Sequence, residues 1–239
     1  MEYPKINSLW KREGWYFDEK DKKDTPTKKQ SKRQSFIIGD YACPEFASIN
    51  CWEVDEKIDG TNIRIFWEPE QDVSPTFGGR TDRAQLPTHL LTHLQKTFTR
   101  EKFEKAFPDA KKVILFGEGY GPKIQAVGSR YRSDVSFILF DVWIDGWWLQ
   151  KSSVIDIAQQ IGIEHTINQK IMTTQEVIEF VKSKPKSYIS KDPDFVMEGV
   201  IARAHPIMLF RQHKTPIMFK LKVKDLIDHT LPEDGSQHA

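Results

Sequence analysis

Cysteine is nearly absent from this chain. Cys43 and Cys51 are the only two in 239 residues, which excludes a disulfide scaffold and, without CxxC spacing, a cysteine-based metal or redox motif. The usage fits a reducing, cytoplasmic compartment, whether the gene is cellular or carried by a phage or virus. Long apolar runs are also missing. No stretch approaches the roughly 18 consecutive apolar residues of a membrane span, and the opening MEYPKINSLWKREGW lacks the apolar run of a signal peptide. An excess of either charge is the third absence: 35 Lys and Arg face 34 Asp and Glu, for a net charge of +1. That balance excludes a polybasic protein that binds nucleic acid through bulk charge alone. What is present is a core-forming composition. Hydrophobic residues make up 38% and charged residues 29%, with seven Trp and fifteen Phe to fill an interior, as expected of one large globular domain spanning 1–239.

One segment departs from that composition. From Asp18 to Ser35 the only apolar side chain is Pro26, and Lys28, Lys29, Lys32 and Arg33 fall within six residues without an acid. Such a run buries too little surface to offset its ordering entropy, so 18–35 reads as a mobile basic loop or linker, with a phosphate contact as its functional alternative. Strand patterns follow at Cys51–Glu56 and Thr61–Trp67, around the turn pair Asp59-Gly60. Pro87–Phe107 has helical periodicity, with Leu90, Leu91, Leu94 and Phe98 on one stripe. Val113–Phe116 is a short apolar strand, and Phe137–Leu149 a second hairpin turning at Asp145-Gly146. Ser153–Ile161 reads as a helix, and Thr173 with Glu176 as a capping box before another. Phe195–Arg203 and Met218–Val223 are further strands. Hairpins outnumber strand–helix alternations, so the expected class is α+β with mostly antiparallel sheets and flanking helices.

The chemistry concentrates in a few short segments. Glu56-Lys57-Ile58-Asp59-Gly60-Thr61-Asn62 fixes a lysine just before a tight turn. A lysine amine becomes a nucleophile where neighbouring cations and partial burial favour its neutral form. Alone the segment is an ordinary hairpin tip. Further along, Phe116-Gly117-Glu118-Gly119-Tyr120-Gly121 ends a strand in a glycine-rich loop with one carboxylate. Phe140-Asp141-Val142 lies in an apolar strand, and Glu198-Gly199-Val200-Ile201-Ala202-Arg203 sets a carboxylate before another. In Met218-Phe219-Lys220-Leu221-Lys222-Val223, period two sends the apolar residues to one face and both lysines to the other. Two adjacent ammonium groups repel, so a strand seldom gathers them without an anion between.

In this order the segments resemble the motifs of the covalent nucleotidyltransferase superfamily of polynucleotide ligases and messenger RNA capping enzymes. KIDGTN is similar to the nucleophile motif, FGEGYG to motif III, FDVW to motif IIIa, EGVIAR to motif IV and KLK to motif V. The resemblance implies an ATP-grasp-like nucleotidyltransferase domain. It also implies an ATP-dependent RNA ligase that joins 3′-hydroxyl and 5′-phosphate ends through a lysyl-AMP intermediate. Asn62 leans toward the phage nick-sealing and RNA-editing type, as does Gly79-Arg80-Thr81, whereas Asp59 stands where many of that group carry His and keeps DNA substrates open. By the same resemblance Lys57 is the nucleophile, and Lys220 and Lys222 neutralise phosphoryl charge. Asn62, with Glu56 at the adenine edge, Arg80 near phosphate, Glu118 on the ribose hydroxyls and Phe140 stacked on the base, completes the nucleotide site. Glu198 is the oxygen donor for Mg²⁺ or Mn²⁺.

A DNA ligase is the nearest alternative, a capping-type guanylyltransferase a more distant one, and an inactive nucleic-acid-binding relative the reading from another class. Only seventeen residues follow Lys222, too few for the OB or helical domain that such ligases carry there. Nucleic acid would then be gripped by this domain, by the basic segment, by a partner protein or by a second copy, with no membrane involved. His89 and His93 have i, i+4 spacing but no third ligand and no intervening Glu, so they read as polar-face imidazoles. Trp147-Trp148 reads as core or interface packing, with base stacking as its functional alternative.

Overall fold

In a computed structural model of the chain, the structure describes residues 1–17 and 32–227. In chain order the elements are β1 (Asn7–Ser8), β2 (Trp10–Phe17), β3 (Lys32–Tyr41), α1 (Glu45–Ser48), β4 (Trp52–Glu56), β5 (Thr61–Trp67) and β6 (Thr76–Gly79). They continue with α2 (Thr88–Thr97), α3 (Arg100–Ala106), β7 (Val113–Tyr120), α4 (Gly128–Tyr131), β8 (Ser136–Ile144), β9 (Trp147–Trp148) and α5 (Lys151–Ile161). The last are β10 (Glu164–His165), β11 (Asn168–Met172), α6 (Thr174–Lys182), β12 (Gly199–Ala204), β13 (Met218–Lys222) and α7 (Val223–Ile227).

Among the described residues there are two large sheets and a two-stranded one, β2-β3. One large sheet runs β1-β13-β12-β4-β11, the other β10-β8-β7-β5-β6 with β9 against β8. Among the described residues only β1 with β13 and β10 with β8 pair in parallel, so the α+β, largely antiparallel class holds. In the first sheet, Val54, Val200, Ala202, Phe219 and Leu221 pack with Val177 and Val181 of α6 into one core. In the second, Ile63, Ile65, Trp67, Leu115 and Leu139 meet Leu90 and Leu94 of α2, Phe103 of α3 and Val154 of α5. A third cluster joins residues of both sheets: Phe116 of β7, Phe140 of β8, Ile201 of β12 and Met218 of β13, together with Tyr3.

Several local expectations are met. Phe219 and Leu221 are buried while Lys220 and Lys222 are only half-buried, as the alternation requires. Asp145 (φ 46) and Gly146 (φ 104) both take positive φ, the type I′ geometry whose twist matches a β-hairpin. Thr173 and Glu176 form the reciprocal capping box. Other expectations are corrected. The helical pattern of 87–107 is two helices, broken at Phe98–Thr99, where Thr99 is extended and begins α3 as its N-cap. The polar stretch 18–35 is split: Lys32–Ser35 lie in β3, paired with β2, and 18–31 lie outside the described residues.

The consequential correction concerns Asp59-Gly60. The segments on either side of this pair do not form a hairpin. β4 pairs with β12 and β11 in one sheet, and β5 with β6 and β7 in the other. Residues 57–60 are therefore a crossover between sheets, and Lys57 stands at their seam.

Candidate active site

The crossover is held at each step. The Lys57 amide donates to the Gly199 carbonyl at 2.9 Å, and the Asp59 amide donates to the Tyr131 hydroxyl at 3.1 Å. The Gly60 amide donates to the Glu118 carboxylate, while the Gly60 carbonyl accepts from Gln125 Nε2 at 3.0 Å. Gly60 is required by close approach, because a Cβ there would lie 2.4 Å from the Gly119 oxygen and 2.7 Å from Glu118 Cγ. Lys57 is thus presented from a fixed backbone rather than from a free turn.

Its ammonium donates to Glu198 Oε2 at 2.5 Å, and Lys222 Nζ donates to Glu198 Oε1 at 2.5 Å. Glu198 immediately precedes β12, which pairs with both β4 and β13, so the register of three strands sets this Lys–Glu–Lys array. Burial pushes the Glu198 carboxyl up, but the charges of Lys57 and Lys222 and their hydrogen bonds overcome it and hold it below the usual range.

These groups border a cavity of about 310 Å³. Eight of the nine expected site residues line it: Lys57, Lys220, Lys222, Glu56, Asn62, Arg80, Glu118 and Phe140. The ninth, Glu198, joins through its two lysines. Phe140 is held edge-on by Tyr3, with ring centroids 5.0 Å apart, and Ile201 supplies a second apolar wall. Asn62 Oδ1 is buried without a hydrogen-bond partner among the described residues, an acceptor left for a ligand or water. Glu118 has the largest perturbation among the site carboxyls. Burial, reinforced by the negative charges of Glu198 and Asp59 and opposed by Lys57, pushes its carboxyl up to about 8. Glu56 is also raised by burial, but both its oxygens are engaged, by the Ser187 hydroxyl at 2.6 Å and the Tyr188 amide at 2.8 Å. Its carboxylate ties the 187–190 loop to the end of β4.

Several cavity residues were not singled out from the sequence. Arg203 lies inside the EGVIAR segment and is buried against Asp141, which also accepts from the Tyr3 hydroxyl. Asp55, two residues before Lys57, is paired with Lys151 at 2.7 Å. The alternation of β4 offered a signal for Asp55, but Tyr3, Pro4, Lys5 and Ile6 lie some fifty residues from any motif and offered none. His89 is exposed and His93 half-buried. Among the described residues no group of three or more His, Cys, Asp or Glu gathers in a metal-binding arrangement.

A lysine is thus fixed at the seam of two largely antiparallel sheets, ion-paired to a carboxylate beside a two-lysine strand. The RNA ligase family model matches residues 50–222. That segment takes in the site from Lys57 to Lys222, and the chain belongs to the RNA ligase family. No curated protein matches the sequence. Among solved structures it is similar to Naegleria gruberi RNA ligase. A variant solved with ATP and Mn has a TM-score of 0.57 at 16% identity, covering 77% of this chain and 53% of that one. Another with ATP and Mn has 0.58 at 15%, covering 95% and 63%, and an apo variant 0.56 at 17%, covering 78% and 54%. The chain spans about half to just under two thirds of those proteins, and at such identities the likeness is one of fold.

Proposed function

We propose that this protein is an ATP-dependent RNA ligase that works through a lysyl-AMP intermediate on Lys57. The observation that carries this reading is the Lys57–Glu198–Lys222 array at the wall of a cavity that also holds Phe140, Ile201 and Glu118. The Lys57 amine, once it has given up its proton, attacks the α-phosphorus of ATP. An N–P bond forms, the α–β phosphoanhydride bond breaks, and pyrophosphate leaves with the bonding electron pair. A 5′-phosphate oxygen then takes the adenylyl group from Lys57. Finally a 3′-hydroxyl attacks the activated phosphate, releasing AMP and closing the strand. In this reading Lys220 and Lys222, which line the cavity, neutralise the negative charge that develops on phosphoryl oxygens, because fixed cations in a partly enclosed site stabilise such charge strongly.

The residues present fit the nucleotide. Phe140 and Ile201 give apolar surface for a base, and Glu118, whose carboxyl burial pushes up to about 8, can donate a hydrogen bond to ribose when protonated and accept one when ionised. They also fit a divalent ion carried on phosphate. Mg²⁺ takes one or two protein carboxylates and fills its shell with phosphate and water, and Glu198 would be that carboxylate once its lysines exchange partners. When bound, the ion supplies charge neutralisation on the phosphates.

Incubation with Mg²⁺ and α-labelled ATP, followed by denaturation, should leave label on the wild-type protein and none on Lys57→Ala. An unlabelled wild type, or an equally labelled variant, overturns the mechanism. Sealing of nicked RNA should exceed sealing of nicked DNA; equal rates would remove the RNA preference.

A further inference from the structure

Of the cations that line the cavity, Lys220 is engaged and three more have acidic partners. Lys57 and Lys222 share Glu198, and Arg203 is paired with Asp141. Lys5 and Arg80, by contrast, are exposed, line the same cavity and make no ion pair among the described residues. Neither is on a free segment. Lys5 lies between Tyr3, whose hydroxyl donates to Asp141, and β1, where Asn7 and Ser8 pair in parallel with Phe219 and Lys220. The Leu9 amide adds a bond to the Lys220 carbonyl at 3.2 Å. Arg80 lies between two anchors of one buried side chain: Arg64 donates to the Gly79 carbonyl at 2.6 Å and to Asp82 at 2.8 Å. Arg64 also donates to the Met1 carbonyl at 3.0 Å, and the Asp82 amide donates to Glu2 at 3.3 Å. One hydrogen-bonded unit therefore fixes the backbone on both sides of the two cations.

Two exposed cations on held backbone that line one cavity, with no ion pair among the described residues, give that cavity a positive potential that attracts an anion. We propose that Lys5 acts with Arg80 as a phosphate-holding pair of this cavity, so that segment 1–8, outside the family-matched residues 50–222, completes the site. The proposal rests on the nucleotidyltransferase reading above. The anion is a terminal phosphate or pyrophosphate group, and two sources share that chemistry: the β- and γ-phosphates of the nucleotide, and the 5′-phosphate end of the nucleic acid.

Equilibrium titration of the full chain separates them without requiring catalysis. Wild type, Lys5→Ala and Lys5→Arg are titrated with inorganic pyrophosphate in Mg²⁺, and with an oligoribonucleotide bearing either a 5′-phosphate or a 5′-hydroxyl. Losing one charge-assisted phosphate contact should weaken binding about fivefold or more. Lys5→Ala is expected to show that loss for pyrophosphate if the nucleotide is the source. If nucleic acid is the source, the loss appears only for the 5′-phosphorylated strand. Lys5→Arg should bind like wild type in either case. Because Lys5 is exposed, unfolding midpoints should be unchanged. Lys5→Ala binding every ligand as wild type does, or losing equally for the 5′-hydroxyl strand, overturns the proposal. Absence of label in the ATP experiment would instead overturn the nucleotidyltransferase mechanism and leave these titrations readable.

Discussion

Glu118 shows how a single residue's chemistry is set by neighbours remote in sequence. Its carboxyl accepts the Gly60 amide and lies in the field of Glu198, Asp59 and Lys57, and burial dominates, moving it from the ordinary 4.5 to about 8. The sign of the resulting pH dependence follows. Between those values the folded protein retains a proton that the unfolded chain has released, so the stabilisation is full below about 4.5 and is lost as pH rises toward 8. The slope contributed is at most about 1.4 kcal/mol per pH unit. Glu118→Gln should remove it. Urea unfolding from about pH 5 to about pH 8 should show stability falling with pH more steeply in wild type than in the variant. Parallel curves would show that Glu118 ionises normally. The sequence marked Glu118 because it sits in a glycine-rich segment that recurs in a known order. Its proton affinity was not legible there, because that depends on which carboxylates the fold brings close.

At the scale of elements, the crossover at 57–60 decides the site. Its sequence carries an Asp-Gly turn flanked by two alternating runs, a strong local hairpin signal. What the signal lacks is any record of strand partners: β4 finds β12 and β11, and β5 finds β6 and β7, all distant in the chain. The strands themselves were legible because period-two burial is local, as was the capping box of α6; sheet membership was not. The α2–α3 break escaped for a similar reason, since the apolar stripe continues through Phe98 while the backbone turns at Thr99. The crossover reading also makes a demand that a solvent-exposed hairpin tip would not. A Cβ at Gly60 meets the Gly119 carbonyl and Glu118 Cγ, so Gly60→Ala should push the crossover off β7. Overpacking of this kind costs about 1–3 kcal/mol, and displacement of Lys57 should reduce self-adenylylation far more than the stability loss alone would. If Gly60→Ala labels with ATP as fast as wild type, close packing of the crossover is not what positions Lys57 for the proposed reaction.

For the molecule as a whole, the question is what keeps two sheets in one relation around an open cavity. Apolar packing contributes through Tyr3, Phe116, Phe140, Ile201 and Met218, but the cavity removes part of the surface on which packing could act. Buried ion pairs bridge the remainder. Arg203 of β12 reaches Asp141 of β8, linking one sheet directly to the other, and Lys151 of α5 reaches Asp55 of β4 at 2.7 Å. Charge holds the Arg203 guanidinium above its usual range although burial acts in the opposite direction, Asp141 being the main opposing cause. Such pairs are costly to desolvate and add little over a well-packed apolar pair, but removing one partner strands a charge. Asp141 is fully buried, so Arg203→Met should lower unfolding stability by about 3–5 kcal/mol. Adding Asp141→Asn should recover most of that loss, because the stranded charge is then gone. Denaturant midpoints of the two variants test this. A single variant as stable as wild type would mean that the Arg203–Asp141 pair does not hold the sheets together. Recovery in the double variant without recovery of self-adenylylation would show that Arg203, which also lines the cavity, contributes to the reaction as well as to the clamp.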